Sequence, residues 1–508
     1  MGSVAFTLML ITVISKFSGM LREMLFSGLF GTTAIKDIYV ISESIVALSF
    51  SFLFLSVQST FIPMYNQIRS EGGRKNADRF TSNLIFTLLA LSTIIILLFI
   101  IFMRPIVSLV ASGFTGEKFE QTVFFTRIAV VQIWFSAVNG PLIGYLNIYD
   151  NFNTPATTGI IMNIFLVIFA YLSYLTNSLL VLAIGNVVAH GIQYIFFPPA
   201  MRKTGFRSEL VFHPFNSHIK KYMGIAVPAM FSILVNDLSI IIDKTIATTV
   251  AVHGGVSALD YANKIFMLAQ GVIIVSIVTA SYPRLSALAQ QPDKRPMKRM
   301  ITDSLISGLI LIIPATVGLM IFVQPVVRLF YQRGAFTAES TLLTSGALFW
   351  YTPGLISLMF YQLLVPVFYS LHDTKTPLVV SVIQVASDIS LNFLLSSLFG
   401  LNGLAMSTMI GNTLGALLLL LLLHKKLGKM HYSEITVTTI KIVLATVIMA
   451  WTSHKLFIAL GDGMRESFAL LISVVFAVIV YGILILFSRI PVVKKHINRL
   501  YHKRHHRI

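Results

Sequence analysis

One apolar run of membrane-crossing length after another governs what this chain can become. About fourteen such runs, each on the order of 20 residues or longer, fall at 3–30, 36–63, 81–103, 122–146, 156–175, 179–199, 222–250, 258–283, 302–323, 342–370, 377–396, 402–424, 436–459 and 467–488. Inside hydrocarbon every backbone N–H and C=O needs a partner within the protein, so segments of this length predict helices. Hydrophobic residues make up 56% of the 508 positions and charged ones only 11%, at a mean hydropathy of +0.82. No soluble domain has that balance, and the expected class is an all-α polytopic membrane protein.

The net charge of +18 could suggest a nucleic-acid partner, but the basic residues sit in short loops between apolar runs. They also alternate. Even-numbered loops and the tail hold about 25 Lys and Arg, among them Arg69, Arg74, Lys75, Lys220, Lys221, Lys298 and Lys429. Odd-numbered loops hold about six: Lys36, Arg104, Lys118, Arg328, Arg333 and Arg465. The positive-inside rule then puts both termini in the cytoplasm. The first run lacks a charged start and a small-residue cleavage site, so it is expected to be retained. Cysteine is absent, which excludes disulfides and thiolate chemistry.

The chain also repeats itself at about 220 residues. Ser281-Tyr-Pro283 precedes Arg299 as Phe61-Ile-Pro63 precedes Arg79, and Gln324-Pro325 follows the pattern of Arg104-Pro105. Thr376-Pro377 comes after Asp373 much as Thr154-Pro155 comes after Asp150, and Asp260-Tyr261 matches Asp37-Ile-Tyr39. An offset of six helices keeps orientation, so the halves are parallel repeats of the kind built around a transport cavity. The expected organisation is a six-helix lobe over 1–200, a second over 221–425, two extra helices over 432–490 and a basic cytoplasmic tail over 491–508.

Charges inside the apolar runs carry the functional argument, because an ionisable group at membrane depth normally faces a bundle interior or a watery cavity. The first run contains Ser15-Lys16-Phe17-Ser18-Gly19-Met20-Leu21-Arg22-Glu23. Lys16 and Arg22 are about 600° apart around the helix, yet both are long enough to flank one cavity. Gly19 between them removes bulk where a helix or ligand could approach. Cations beside a cavity suit phosphate oxygens, and Lys264 on the eighth run could add a third from the other lobe or pair with Asp260 one turn away. The corresponding first helix of the second half carries Asp237 and Asp243 instead. Glu43 and Lys244 also lie at membrane depth, where an ion pair holding helices together is as good a reading as a functional one. Asp388 and Asn392, four apart on the eleventh run, could with Asp243 and Thr408 offer hard oxygen ligands to a monovalent cation, or could simply glue helices. There is no P-loop, no metal-type histidine spacing and no catalytic constellation, so a carrier is expected rather than an enzyme.

The motif Ser15-Lys16-x-x-Gly19-x-x-Arg22-Glu23, with Phe30-Gly31 and Asp37, resembles the opening of the MurJ/MviN lipid II flippases of the MATE-like exporter superfamily. The likeness returns at Arg333-Gly334-Ala335-Phe336-Thr337 and at Phe368-Tyr369-Ser370-Leu371-His372-Asp373-Thr374-Lys375-Thr376-Pro377, and it extends over the whole chain. It implies two six-helix lobes around a cationic cavity for a pyrophosphate-linked sugar, and two further helices edging a lipid groove. It implies substrate-binding roles for Ser15, Lys16, Gly19, Arg22, Glu23, Asp37 and Lys264, and a sodium site at Asp243, Asp388, Asn392 and Thr408, sodium being the one candidate cofactor. Lys16 and Lys264 stand where many relatives carry Arg, and Phe50-Ser-Phe-Leu-Phe-Leu55 replaces a second-helix stretch that commonly holds an Arg and a Glu. The resemblance implies a monomer in the bacterial inner membrane that moves undecaprenyl-pyrophosphate-linked peptidoglycan precursor outward by alternating access, in contact with cell-wall synthesis proteins. A flippase for another lipid-linked oligosaccharide is the runner-up. A cation-coupled multidrug exporter fits less well, since its N-terminal lobe should carry carboxylates where this chain has Lys16 and Arg22.

Overall fold

The computed structural model describes residues 2–250, 253–461 and 463–494, without the side chains of 2–10, 12–13, 49–59 and 227–237. The Phe50–Leu55 stretch, Asp237 and the tail from Lys495 therefore lie outside the described side chains. The described chain is helical throughout, with turns between helices. In order these are α1 (Gly2–Phe30), α2 (Ala34–Val110), α3 (Gly116–Ala129), α4 (Gln132–Ile148), α5 (Asn153–Thr176), α6 (Leu179–Ile192), α7 (Phe197–Lys203), α8 (Ser217–Val250) and α9 (Gly255–Ala289). Then come α10 (Arg295–Ile321), α11 (Val323–Tyr331), α12 (Ala338–Tyr351), α13 (Gly354–Ser370), α14 (Lys375–Phe399), α15 (Leu401–Leu427), α16 (Tyr432–Gly461) and α17 (Glu466–Phe487).

The 77 residues of α2 would make a rod of about 115 Å, far longer than a bilayer is thick. Gly73, with φ 76° and ψ 174°, breaks it between two expected spans, in the loop that holds Arg69, Arg74 and Lys75. Ten described helices are long and apolar enough to cross a membrane, and the bent pair α12–α13, angled by 45°, brings the number to eleven. The remaining expected spans, 3–30, 36–63 and 222–250, contain the side chains left undescribed. The outward faces of α14, α16 and α17 are apolar, with Phe393, Trp451, Val478 and Phe487 all exposed. Such surfaces have lipid, not water, as their solvent.

The chain forms two compact units. The first comprises 1–257 together with 331–340, and the second 258–330 with 341–508. Helix α8 belongs with the first because it packs along α2. In the first unit α1 packs on α5, α5 on α6, and α2 on both α3 and α4. In the second, α14 packs on α15, α13 on α15, and α16 joins α10 to α17.

Backbone geometry bears the repeat out more sharply than the motifs do. Left-handed residues recur at matched places: Gly31 and Gly254, Asp150 and His372, Asn177 and Gly400, Gly205 and Gly428, separated by 222 or 223 positions. The register also corrects one pairing. Asp150 corresponds to His372, and the partner of Asp373 is Asn151. Asn151 Oδ1 accepts from the Thr154 N–H at 3.3 Å, as Asp373 Oδ1 accepts from the Thr376 N–H at 3.0 Å. Each side chain caps the helix that follows, α5 or α14, by satisfying an N–H that has no partner in its own helix.

The segment 331–340 is held in the first unit by close backbone approach. Ala335 N–H donates to Gly28 O at 2.8 Å, Ser27 Oγ to Tyr331 O at 3.2 Å, and Thr32 Oγ1 and Ser340 Oγ lie 2.7 Å apart. A Cβ on Gly31 would stand 2.2 Å from Ala335 O, and one on Gly334 would stand 2.2 Å from Gly28 O. Both glycines also have positive φ, so no other residue serves at either place without strain.

Candidate functional site: a cation-edged cavity in the first unit

Glu23 organises the inner end of the motif on α1. It is 5% exposed, and its Oε1 accepts from Arg22 Nη2 at 2.6 Å while Oε2 accepts from Lys36 Nζ at 3.1 Å. Lys36 is buried against the rings of Phe26 and Tyr39, 5.2 and 5.3 Å from their centroids, which further offsets its desolvation. Arg22 reaches across to α5, donating from Nη1 to Asn163 Oδ1 at 2.9 Å. The Asn163 amide in turn donates to Ser18 Oγ at 2.9 Å. The gap at Gly19 is filled by this asparagine, since a Cβ there would lie 3.7 Å from Asn163 Nδ2. Gly159 does the same for Ser15, whose Oγ would stand 3.0 Å from an added Cβ. Small residues thus let α1 and α5 close up and lock the arginine side chain.

Lys16 is placed differently. It is exposed, and with Ser15 it edges a cavity of about 680 Å³ walled by α1, α2, α4, α5 and α6. No described carboxylate lies within ion-pair distance of Lys16. Across the cavity stand Glu43, Gln132, Ser136, Asn139, His190 and Gln193. Glu43 Oε1 accepts from Gln132 Nε2 at 3.0 Å and from Asn186 Nδ2. His190 Nδ1 lies 2.8 Å from Asn186 O. Glu43 is therefore a hydrogen-bonded wall residue with neutral amide partners, and Lys244 donates to Ser44 Oγ at 2.9 Å.

Asp37 is not in this cavity. It is 1% exposed, and its carboxylate is taken up by Lys118 Nζ at 2.7 Å, by the N–H groups of Gly254 and Ser257 at 3.2 and 2.9 Å, and by the Ser257 hydroxyl. In this conformation it pins the turn at 254–257. Lys264 lies in the second unit, half-buried one turn from buried Asp260. Of the four cation-site residues, Asp388 and Asn392 are buried on α14, with Gly411 of α15 close enough that a Cβ would stand 3.2 Å from Asp388 Cβ. Asn392 Oδ1 accepts from Ser407 Oγ, and Thr408 Oγ1 donates to Leu404 O of its own helix at 3.2 Å. Asp243 is on α8, in the first unit.

A cavity in a helical lobe that joins an exposed cation to a largely neutral polar wall, in which the one lining carboxylate, Glu43, is held by amide donors, suits a polar headgroup carrying negative charge. The family model described as Lipid II flippase MurJ matches residues 26–474. The chain belongs to the lipid II flippase MurJ family. Similar members include a probable lipid II flippase MurJ of Rickettsia prowazekii, 29% identical over 457 residues and covering 89% of this chain and 88% of that protein. The lipid II flippase MurJ of Burkholderia cenocepacia is 26% identical over 432 residues, 82% of each chain. Among solved structures, a lipid II flippase MurJ in an inward closed conformation superposes with a TM-score of 0.81 at 25% identity, covering 95% of this chain and 99% of that one. An inward-facing multidrug resistance MATE family transporter shares the fold, with a TM-score of 0.70 at 13% identity. Members of the family are transporters, not enzymes.

Sequence reasoning singled out Lys16, Arg22 and Glu23 and passed over their neighbours Asn163, Gln132, Asn139 and His190. A signal for two of them was present. Gln132, Ser136 and Asn139 are four and three apart inside an apolar run, the spacing of one helix face.

Proposed function

We propose that the chain translocates lipid II, the undecaprenyl-pyrophosphate-linked peptidoglycan precursor, across the bacterial inner membrane by alternating access. Family membership over most of the chain carries the substrate, and the exposed Lys16 at the edge of the first unit's cavity carries the chemistry. Lys16 meets diphosphate oxygens as a point charge. Arg22, fixed by Glu23 and Asn163, keeps the local potential positive behind it. The polyprenyl tail stays in lipid while the headgroup passes, so differential binding to two states suffices and no covalent step is needed. In this reading the termini are cytoplasmic, the working unit is a monomer in contact with cell-wall synthesis proteins, and sodium held by Asp388, Asn392 and Thr408 biases the second unit. The test is rescue of cells depleted of their own lipid II flippase, with precursor exposure at the outer leaflet measured directly. Full expression in the membrane without rescue or exposure would refute it.

A further inference from the structure

A second cavity, of about 420 Å³, lies in the first unit between the middle of α2 and the chain that leads into α8. Arg79, Asn83, Val211, His213 and His218 are among the residues that line it. The repeat gives Arg79 a counterpart in Arg299, and the two arginines differ in their partners. Arg299 donates to Glu434 from Nη1 and, at 2.9 Å, from Nη2, and its Nε lies 3.0 Å from Asp303. In the first unit Asn83 stands for Asp303. Its amide is spent on the His213 backbone, Nδ2 donating to O at 3.0 Å and Oδ1 accepting from N–H at 2.7 Å. By the register of Gly205 and Gly428, Val211 stands for Glu434. Both carboxylates are thus replaced by neutral side chains. Among the described residues the one ion-pair contact of Arg79 is Glu209, 3.8 Å from Nε and outside hydrogen-bond reach. Glu71, the one carboxylate in the lining, accepts from Gln67 at 2.8 Å. Where the second unit supplies two carboxylates, the first leaves a cavity with an arginine and two imidazoles.

The position of the cavity indicates its occupant. Lining residues 76–83 and 211–218 run up to the starts of the apolar runs 81–103 and 222–250, which is headgroup depth. Side chains alternate along the non-helical stretch 210–213: Val211 and His213 line the cavity, while Leu210 and Phe212 are 92% and 54% exposed. Phe215 is 82% exposed. Large apolar side chains held out beside a cation at this depth suit the bilayer interface, where aromatic rings sit among headgroups. From 202 to 221 the chain carries Arg202, Lys203, Arg207, Lys220 and Lys221 against Glu209 alone, a field that attracts anionic lipid.

We infer that this cavity binds the phosphate of an anionic phospholipid headgroup, which takes at Arg79 the place that the Glu434 and Asp303 carboxylates take at Arg299. Phosphate oxygens match the guanidinium fork as a carboxylate does, and the His213 and His218 imidazoles add N–H donors beside it. Phe212 and Phe215 then lie in the bilayer interface. The site is separate from the cavity edged by Lys16 and does not depend on what that cavity transports.

The test measures binding of acyl-labelled fluorescent phosphatidylglycerol to the full-length protein in neutral-detergent micelles, with unlabelled phosphatidylglycerol and glycerol phosphate as competitors. Arg79→Gln should weaken the lipid at least about tenfold, the loss of a charge-assisted pair. Val211→Glu, which installs the carboxylate that Glu434 supplies in the second unit, should weaken it as much. Lys75→Gln, at an exposed cation outside the cavity, should leave binding close to native. The double variant Phe212→Ser/Phe215→Ser should weaken the lipid and leave the weaker competition by glycerol phosphate unchanged. Arg79 has no hydrogen bond among the described residues, so its replacement removes none from the fold and keeps the test valid if Val211→Glu fails to fold. Native affinity in Arg79→Gln would overturn the site. Equal losses in Arg79→Gln and Lys75→Gln would also overturn it, by showing a diffuse surface attraction. If glycerol phosphate competes as well as phosphatidylglycerol and the phenylalanine variant binds like native, the lipid assignment is overturned in favour of free phosphate.

Discussion

Asn163 joins α5 to the cationic motif of α1 through two hydrogen bonds, and replacing it measures how firmly Arg22 is held. Asn163→Ala removes an acceptor from a guanidinium and a donor from Ser18 Oγ. A bond to a charged group contributes about 1.5–3 kcal/mol and a neutral one about 0.5–1.5 kcal/mol, so the expected loss is roughly 2–4.5 kcal/mol. Asn163→Asp keeps the acceptor for Arg22 and loses only the donor to Ser18, so it should cost less than Asn163→Ala. Unfolding against SDS mole fraction in mixed micelles gives these differences directly. The decisive measurement is the double-mutant cycle of Arg22→Ala with Asn163→Ala, which should be non-additive by about 1.5–3 kcal/mol. Losses that simply add would show that Asn163 does not hold Arg22, and the account of a locked arginine behind Lys16 would be withdrawn.

Three further outcomes are expected. Gly31→Val, whose Cβ would stand 2.2 Å from Ala335 O, should abolish complementation, while Gly224→Ala, which meets nothing within 4 Å, should not; a fully active Gly31→Val at normal membrane level would count against the close approach at 331–340. The hydrogen bond from Lys426 and the Thr376 N–H hold the Asp373 carboxylate below its usual 3.8, at about 2. A depressed carboxylate stabilises the fold above its unfolded value and ceases to as pH falls through its folded one. Asp373→Asn should thus lower the melting temperature at pH 7, and the difference from native should shrink between pH 4 and 2; a pH-independent difference would place the effect elsewhere. Asp388→Ala should remove any dependence of vesicle transport on a sodium gradient, and native transport indifferent to sodium would reduce the α14–α15 polar cluster to helix packing.

The helices were legible because hydrocarbon leaves a chain few choices, and apolar runs of this length become helices. The repeat was legible in paired motifs, and positive-φ residues recur at 222 or 223 positions. Lys16, Arg22 and Glu23 stood out because charge at membrane depth is costly. Asn163 did not, since a lone asparagine in an apolar run is ordinary helix glue, and only packing shows that it meets Arg22. Asp37 is a different case. The resemblance implied a substrate-binding role for it, and only the structure shows that in this conformation it binds Lys118 and the Gly254 and Ser257 N–H groups and so pins the 254–257 turn. The α4 wall was half legible: the spacing of Gln132, Ser136 and Asn139 shows one face, but only the structure shows that this face lines the cavity.

The segment 331–340 has a bearing on how the protein is made. The first unit takes its last ten residues from the end of α11 onward, so its sequence is interrupted by some seventy residues of the second unit. A ribosome that has just finished Ser257 has therefore not yet supplied everything the first unit contains. Gly28 and Gly31 lack this cover until Ala335 has been synthesised, so the first unit is not complete when its leading 257 residues are. A nascent chain stalled before residue 331 should leave this end of α1 open to protease or to a thiol probe placed at Thr32, and one stalled well after residue 340 should protect it.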